Sequence, residues 1–341
     1  MPRKRMSVLN FFSRRKKLSL LSIASLAILL VAGTLATSMV SSNSTPSAVA
    51  GSAPASLSKP VHLSHPMVPL GISTGTASGP LGCPFPSSRC LASLNWSGYA
   101  VCVPLASCAE LEAAPGTVTD VKGSWIVPAI VGGGSSTGSR CQDRENTWYD
   151  NSDWIGIDGF VSQTVEQTGT SSDCYYGQAY YYAWYEFYPA ASYTVFNVNA
   201  GDTITAEVTY SAGLFTTTIT DVTTHLSFTS APTAVPGAET DSAEWIAESA
   251  YFDGFLALTQ STQVPFFGAS ATIGGVTHSL PGWGLNVYWL LMVDYNFGTN
   301  QECSPVGCPT PQTESLEYAK ALPSGIGYGN GFKVTWLSAG P

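Results

Sequence analysis

This sequence is short of charge. Asp, Glu, Lys and Arg together make up 11% of its 341 residues, against roughly 25% in ordinary soluble domains. Seven of the 14 Lys and Arg lie at or before Lys17, whereas all 23 Asp and Glu lie beyond residue 50, so the remainder carries a formal net charge of −16. Nucleic-acid binding needs a basic footprint on phosphates and is excluded on this ground. The same imbalance suits an acidic medium, where carboxyl groups neutralise and few bases remain to repel one another. Histidine is rare too. None of the four His is spaced as a ligand pair on a helix, and no C-x-x-C occurs; no metal and no cofactor are expected. A nucleophile elbow is also missing. Gly71-Ile72-Ser73-Thr74-Gly75 matches G-x-S-x-G by letters, but that motif needs a strand before it and a helix after it, and this one lies in a Pro/Ser-rich stretch. Beyond the N-terminal segment no helical period is sustained over 12 residues, and no internal repeat is visible.

What is present begins with a targeting segment. Basic residues end at Lys17 and an apolar run from Leu18 to Ala36 follows, its length between a signal-peptide core and the ~20 residues that span a bilayer. Residues 1–50 are therefore expected to be a signal peptide or an N-terminal membrane anchor. The body is then secreted, or anchored and held outside, and touches membrane only if that segment is retained. Residues 51–90, rich in Ser and Pro, read as a pro-segment or linker. Residues 91–341 read as one domain. Eight Cys fit an oxidising destination. Cys83/Cys90, Cys102/Cys108 and Cys303/Cys308 are close in sequence, and Cys141 and Cys174 remain to pair with each other. Asn43 and Asn95 open N-x-S/T sequons; Asn95, beside a Trp at the start of a strand, is expected to pack.

The domain is expected to be all-β. Short runs rich in β-branched and aromatic residues recur between Gly, Pro, Asn and Asp: Asn95–Val101, Ser124–Val127, Thr203–Tyr210, Phe215–Val222, Glu244–Ser249, Ser270–Ile273, Leu285–Val293 and Phe332–Trp336. That pattern is typical of a sandwich or barrel. Thr313–Leu322 is the one candidate for a short helix.

The richest stretch runs from Trp154 to Pro189. Side chains alternate between the faces of a strand, so Trp154 shares a face with Gly156 and Asp158. Tyr180, Tyr182, Trp184, Glu186 and Tyr188 share another, opposite Tyr181, Ala183, Tyr185 and Phe187. Downstream, Glu244, Ile246 and Glu248 fall on one face. Carboxylates among large aromatics point to the lining of a cleft rather than a core, because an unpaired buried carboxylate costs several kcal/mol or more. Such a face also suits a glycan-active or glycan-binding lectin-like protein. Glu244 and Glu248 by themselves are too far apart, at about 13 Å along a strand of ~3.3 Å per residue, to act as the carboxyl pair of a retaining glycosidase.

Six strings occur in order: Asn95-Trp96-Ser97-Gly98-Tyr99, Trp125-Ile126-Val127-Pro128, Trp154-Ile155-Gly156-Ile157-Asp158-Gly159, Gln167-Thr168-Gly169, Ala183-Trp184-Tyr185-Glu186-Phe187-Tyr188-Pro189 and Ala243-Glu244-Trp245-Ile246. Together, over about residues 95–275, the chain resembles the glutamic peptidases (eqolisins). The resemblance implies an all-β fold, a concave sandwich of two antiparallel sheets like the legume lectins, with residues from about 275 as a C-terminal extension. It implies a secreted, acid-active endopeptidase of proteins and peptides, made as a precursor, insensitive to pepstatin and expected to be a monomer. It places catalysis on Gln167 and Glu244. Trp154, Asp158, Thr168, Gly169, Trp184 and Glu186 bind substrate or support the pair. A carboxylate is a usable base in acid, where His is already protonated. Glu244 thus becomes the base and later the acid, and Gln167 the donor to the oxyanion. Glu248 remains a solvated strand carboxylate in this reading.

Overall fold

The computed structural model describes residues 62, 64–69, 89–104, 108, 115–132, 141, 148–252, 254–294, 319–327 and 329–340. The targeting segment, the Asn43 sequon, the Gly71–Gly75 string and Cys83, Cys303 and Cys308 lie outside the described residues.

Twenty strands follow in order: β1 (Cys90–Ser93), β2 (Trp96–Cys102), β3 (Val118–Ile126), β4 (Ile130–Gly132), β5 (Trp148–Asp150), β6 (Ser152–Ile157), β7 (Val165–Tyr175), β8 (Gln178–Tyr188), β9 (Tyr193–Asn197), β10 (Thr203–Ser211), β11 (Leu214–Asp221), β12 (Leu226–Thr229), β13 (Ser242–Glu248), β14 (Ala257–Leu258), β15 (Gln260–Ser261), β16 (Val264–Ile273), β17 (Val276–Ser279), β18 (Val287–Val293), β19 (Ala319–Pro323) and β20 (Phe332–Trp336). They make two layers. One runs β9-β8-β7-β6-β13-β2-β18, antiparallel throughout, with β1 added parallel to β18. The other runs β12-β11-β10-β3-β16-β20. Strand β19 pairs with both β18 and β20 and joins the layers along one side.

The core between the layers follows the alternation. Tyr99, Ile155, Trp245 and Trp289 come from one layer, and Val121, Trp125, Ile204, Val208, Ile219 and Phe266 from the other. In the second layer the opposite face meets solvent, so β11 alternates residue by residue between partly exposed and buried, with Thr216, Thr218 and Thr220 on the outside. In the first layer no such alternation exists. β2, β6, β13 and β18 are buried at every residue, because a second apolar cluster covers the outer face. It holds Trp96, Trp154, Phe160, Tyr182, Trp184, Ile246 and Tyr288. A strand buried on both faces gains hydrophobic stabilisation from every residue, at roughly 25 cal/mol per Å² of apolar area.

Residues beyond 275 are built into the sandwich: β18 pairs with β2 in the first layer, and β20 with β16 in the second. The helix expected at Thr313–Leu322 is corrected where it can be seen. Ala319–Pro323 is a strand, held by ladders on both edges, and tertiary pairing outweighs the local propensity of Ala-Lys-Ala-Leu. Disulfides join Cys102 to Cys108 and Cys141 to Cys174, and Cys90 is disulfide-bonded as well.

Candidate functional site

The outer face of the first layer carries the polar groups that the sequence singled out. Across adjacent strands, Glu244, Gly156, Gln167 and Glu186 stand in one row, and Ile246, Trp154, Gly169 and Trp184 in the next. Two glycines make this face possible. A Cβ on Gly169 would meet Trp154 Cβ at 2.5 Å and Trp184 Cζ2 at 2.8 Å, and one on Gly156 would meet Trp154 Cζ3 at 2.9 Å. Both positions are small so that the Trp154 and Trp184 side chains can lie against them. Gly169 thus leaves space for its neighbours' side chains.

Gln167 faces Glu186 directly and donates to its Oε2 at 2.9 Å. Its second amide hydrogen goes to Ser64 Oγ, 2.6 Å away. The Ser64 hydroxyl in turn donates to Glu248 Oε2 at 3.3 Å. Glu248 also accepts from Trp154 Nε1 at 2.9 Å, from the His65 backbone N–H at 3.1 Å and from Asn95 Nδ2 at 3.4 Å. A side-chain amide and a carboxylate therefore bracket one hydroxyl oxygen, inside a wall of Trp154 and Trp184.

These groups are buried, which the sequence argument did not anticipate. Glu244 and Glu248 have no exposed surface, and Glu186 is 3% exposed. Burial pushes the Glu186 carboxyl up to about 8, against the opposing hydrogen bonds from Gln167 and Ser64. Burial likewise raises Glu248 well above the carboxylate range; the His65 N–H and Trp154 oppose this, and the Asp150 and Glu186 charges add to it. The expectation of an open lining failed because it assumed ionised groups. A carboxyl that keeps its proton avoids most of the desolvation cost.

Glu244 does not meet Gln167. The two flank Gly156, and the Trp154 ring lies over that glycine, in the space between them. Among the described residues neither carboxylate oxygen of Glu244 has a hydrogen-bond partner. The Ser242 hydroxyl lies nearby but donates to Asp241, at 3.1 Å. Burial raises Glu244 well above the ordinary range, and the charges of Asp158, Asp241 and Glu166 push the same way. Glu248, four residues on and on the same face, is the carboxylate that reaches the shared oxygen.

Two other expected residues act at a distance. Asp158 accepts from the backbone N–H groups of Glu239, Thr240 and Asp241 at 2.8 to 2.9 Å. It anchors the turn that leads into β13. Thr168 pairs with Ile155 and Tyr185, on the core side of β7; its hydroxyl donates to the Trp184 carbonyl at 2.7 Å. It supports the layer and does not line the outer face. Among the described residues no cluster of three or more His, Cys, Asp or Glu is arranged to hold a metal ion.

Sequence reasoning passed over Asn95 and the segment before it. Asn95 is fully buried, so it packs as expected, but its amide also does more. Nδ2 donates to the carbonyls of His65 and Pro66 at 3.0 and 3.2 Å, and Oδ1 accepts from the Val68 N–H at 3.0 Å. His62 and Ser64–Pro69, read as pro-segment or linker, are packed against the site and largely buried.

The family model described as the Peptidase A4 family matches residues 95–286. This chain belongs to the Peptidase A4 family. The six strings and the site all fall within the matched residues, apart from the Ser64 segment. Within the Peptidase A4 family, aspergillopepsin-2 of Aspergillus niger is 35% identical over 177 residues, covering 47% of this chain and 61% of that protein. Scytalidopepsin B of Scytalidium lignicola is 36% identical over 86 residues, 24% of this chain and 27% of that one. The chain thus spans less than two thirds of the length of these relatives. A solved structure of scytalido-glutamic peptidase with a transition state analog inhibitor superposes with a TM-score of 0.51 at 20% identity, over 71% of this chain and 98% of that one. That likeness establishes the shared β-sandwich.

Proposed function

We propose that this protein is an acid-acting endopeptidase of the glutamic type, working on protein and peptide substrates with Gln167 and Glu248 as its pair. The observation that carries the reading is the single oxygen bracketed by the Gln167 amide and the Glu248 carboxylate. Family membership favours it over the glycan-active alternative. The names of the relatives, among them a glutamic peptidase, point the same way.

With the Ser64 segment displaced and solvent admitted, the burial that raises Glu248 is relieved and its carboxyl ionises; a water in the position of the Ser64 hydroxyl then gives a proton to Glu248 as its oxygen attacks the scissile carbonyl carbon. The carbonyl π pair moves onto oxygen, and a Gln167 N–H, relieved of Ser64, donates to the resulting oxyanion. The C–N bond then breaks as Glu248 returns the proton to the leaving nitrogen, leaving an acid and an amine. Glu186 holds the other amide hydrogen of Gln167 and so fixes which end of the amide faces the reaction. The Trp154 N–H orients Glu248. An amide beside the working carboxylate also avoids the coupled titration of two adjacent acids. The disulfides support an oxidising, extracytoplasmic destination.

The test is cleavage of a denatured protein across roughly pH 2–7 with pepstatin present. Glu248→Gln and Gln167→Ala are each expected to lose about 10²-fold or more, and Glu244→Gln to stay within a few-fold of wild type. Loss in Glu244→Gln with retention in Glu248→Gln would return the base to Glu244 and sink this assignment.

A further inference from the structure

Of the 14 Lys and Arg, seven lie beyond Lys17, and one of these, Lys320 on β19, is only 3% exposed. A charge is costly to bury unless it is paired and hydrogen-bonded, so a buried Lys is held by specific partners. The Lys320 ammonium donates to Ser249 Oγ at 3.0 Å and to the Leu256 carbonyl at 3.3 Å. The Ser249 hydroxyl donates to that same carbonyl at 2.5 Å. Burial lowers Lys320 to about 8, against the charges of Asp294 and Asp150, so in acid it is a cation. Ser249 is the residue that follows Glu248.

The chain leaves β13 at Ser249 and turns back on itself. The Leu256 N–H donates to the Ala250 carbonyl at 2.8 Å, the Phe252 N–H donates to the Gly254 carbonyl at 2.8 Å, and Tyr251 bridges Phe255. Lys320 therefore joins the two ends of this turn. The chain end holds Lys320 in its turn. Its carbonyl accepts from the Leu337 and Ser338 N–H groups at 2.8 and 3.3 Å, and a Cβ on Gly340 would lie 3.0 Å from Lys320 Cδ and Cε.

Two routes lead from the ammonium to Glu248. One is the backbone. The Ser249 N–H donates to the Asn95 carbonyl at 2.9 Å, and Asn95 Nδ2 donates to Glu248 Oε1 at 3.4 Å. The other is charge. The Ala250 N–H donates to Asp150 Oδ1 at 3.0 Å. Burial raises Asp150 to about 6, against its hydrogen bonds and the Lys320 charge; burial raises Glu248, and the Asp150 charge adds to it. Lys320 lies beyond residues 95–286, which the family model matches, so the last strands of this chain supply the tie.

We propose that Lys320 is a positioning residue of the site, its ammonium tying Ser249 to Leu256 and so fixing the end of β13 from which Glu248 reaches toward Gln167. The C-terminal strands are thus a working part of the site. This inference rests on the peptidase reading for its effect on rate, but the tie itself can be measured without turnover.

The experiment compares the full chain as wild type, Lys320→Met and Ser249→Ala. Met keeps an unbranched stem and removes only the ammonium, so a role in packing alone would survive it. In steady-state assays on a peptide substrate in acid, Lys320→Met is expected to lower kcat about tenfold with KM changed less than about threefold, since a small misplacement of a reacting group costs rate more than binding. Ser249→Ala should fall the same way by a smaller factor, and the double variant should be no slower than Lys320→Met, because both substitutions cut one tie. Hydrogen exchange read by mass spectrometry should quicken at least about tenfold over residues 249–258 in Lys320→Met and stay unchanged in β7 and β8. Wild-type kcat in folded Lys320→Met, or exchange that quickens equally everywhere, would overturn the proposal. Wild-type kcat and exchange in Ser249→Ala would do so even if Lys320→Met did not fold. Exchange quickened over residues 249–258 with no turnover in any form, wild type included, would uphold the tie and refute the peptidase reading instead.

Discussion

Replacing Glu186 by Gln should stabilise the protein at neutral pH while leaving it unchanged in acid. In the folded chain burial holds the Glu186 proton until about pH 8, whereas the free side chain releases it near 4.5. Between those values unfolding releases a proton, so rising pH favours the unfolded state. The contribution of Glu186 is intact below about pH 4.5 and is withdrawn as pH climbs through 8. Each unit of separation amounts to ~1.4 kcal/mol, so this one group withdraws on the order of 4 to 5 kcal/mol by pH 8. Gln keeps an acceptor for the Gln167 amide but does not titrate. Asp150, raised by burial to about 6, is common to both proteins, and Glu248, which the Glu186 charge helps to raise, is relieved by the substitution and so moves the difference in the same direction. Melting temperatures of wild type and Glu186→Gln, read from pH 3 to pH 8, should coincide at the acid end. They should part by roughly 8 to 20 °C at the other, at 2 to 4 °C per kcal/mol. Parallel curves across the whole range would show that Glu186 does not hold its proton, and the account of a protonated, buried site would fail with it.

Three further outcomes follow from the geometry. Gly169→Ala should cost more than about 2 kcal/mol, measured by denaturant unfolding, because its Cβ would lie 2.5 Å from both the Asp153 carbonyl and Trp154 Cβ. Asp158→Ala should destabilise by about 3 kcal/mol, since two buried backbone N–H groups and a part-buried one lose their acceptor; Asp158→Asn should cost less, and circular dichroism melts will rank them. Trp154→Phe removes the N–H that holds Glu248 but keeps a ring over Gly156. It should lower kcat about tenfold, with a smaller change in KM, in steady-state assays.

Alternation alone decided much of this protein. The period of two set Trp154 with Gly156, Trp184 with Glu186, and Glu244 with Glu248, each within its own strand, and the strand ladders bring these sets together with Gln167 on one face. It could equally have set Thr168 on the opposite face from Gln167, a consequence that the Gln-Thr-Gly string obscured. The glycines of that face were visible as turns, and their actual use, as floors for indole rings, needs a neighbour from another strand.

Alternation could not choose between two carboxylates on the same face. Glu244 is nearer to Gln167 along the ladder, yet the Trp154 ring fills the space between them, and Glu248 reaches the shared oxygen through Ser64. Ring placement depends on packing among β6, β7, β8 and β13, which carries no local signature. The place of His62 and Ser64–Pro69 is hidden for the same reason. Ser64 and Glu248 touch across a separation of 184 residues, and no period in a Pro/Ser-rich stretch encodes such a contact. What the sequence by itself determined was which side chains share a surface, because that depends on backbone geometry alone. Which of them meet was decided by the tertiary structure, because that depends on the volumes of bulky neighbours and on where a distant segment comes to rest.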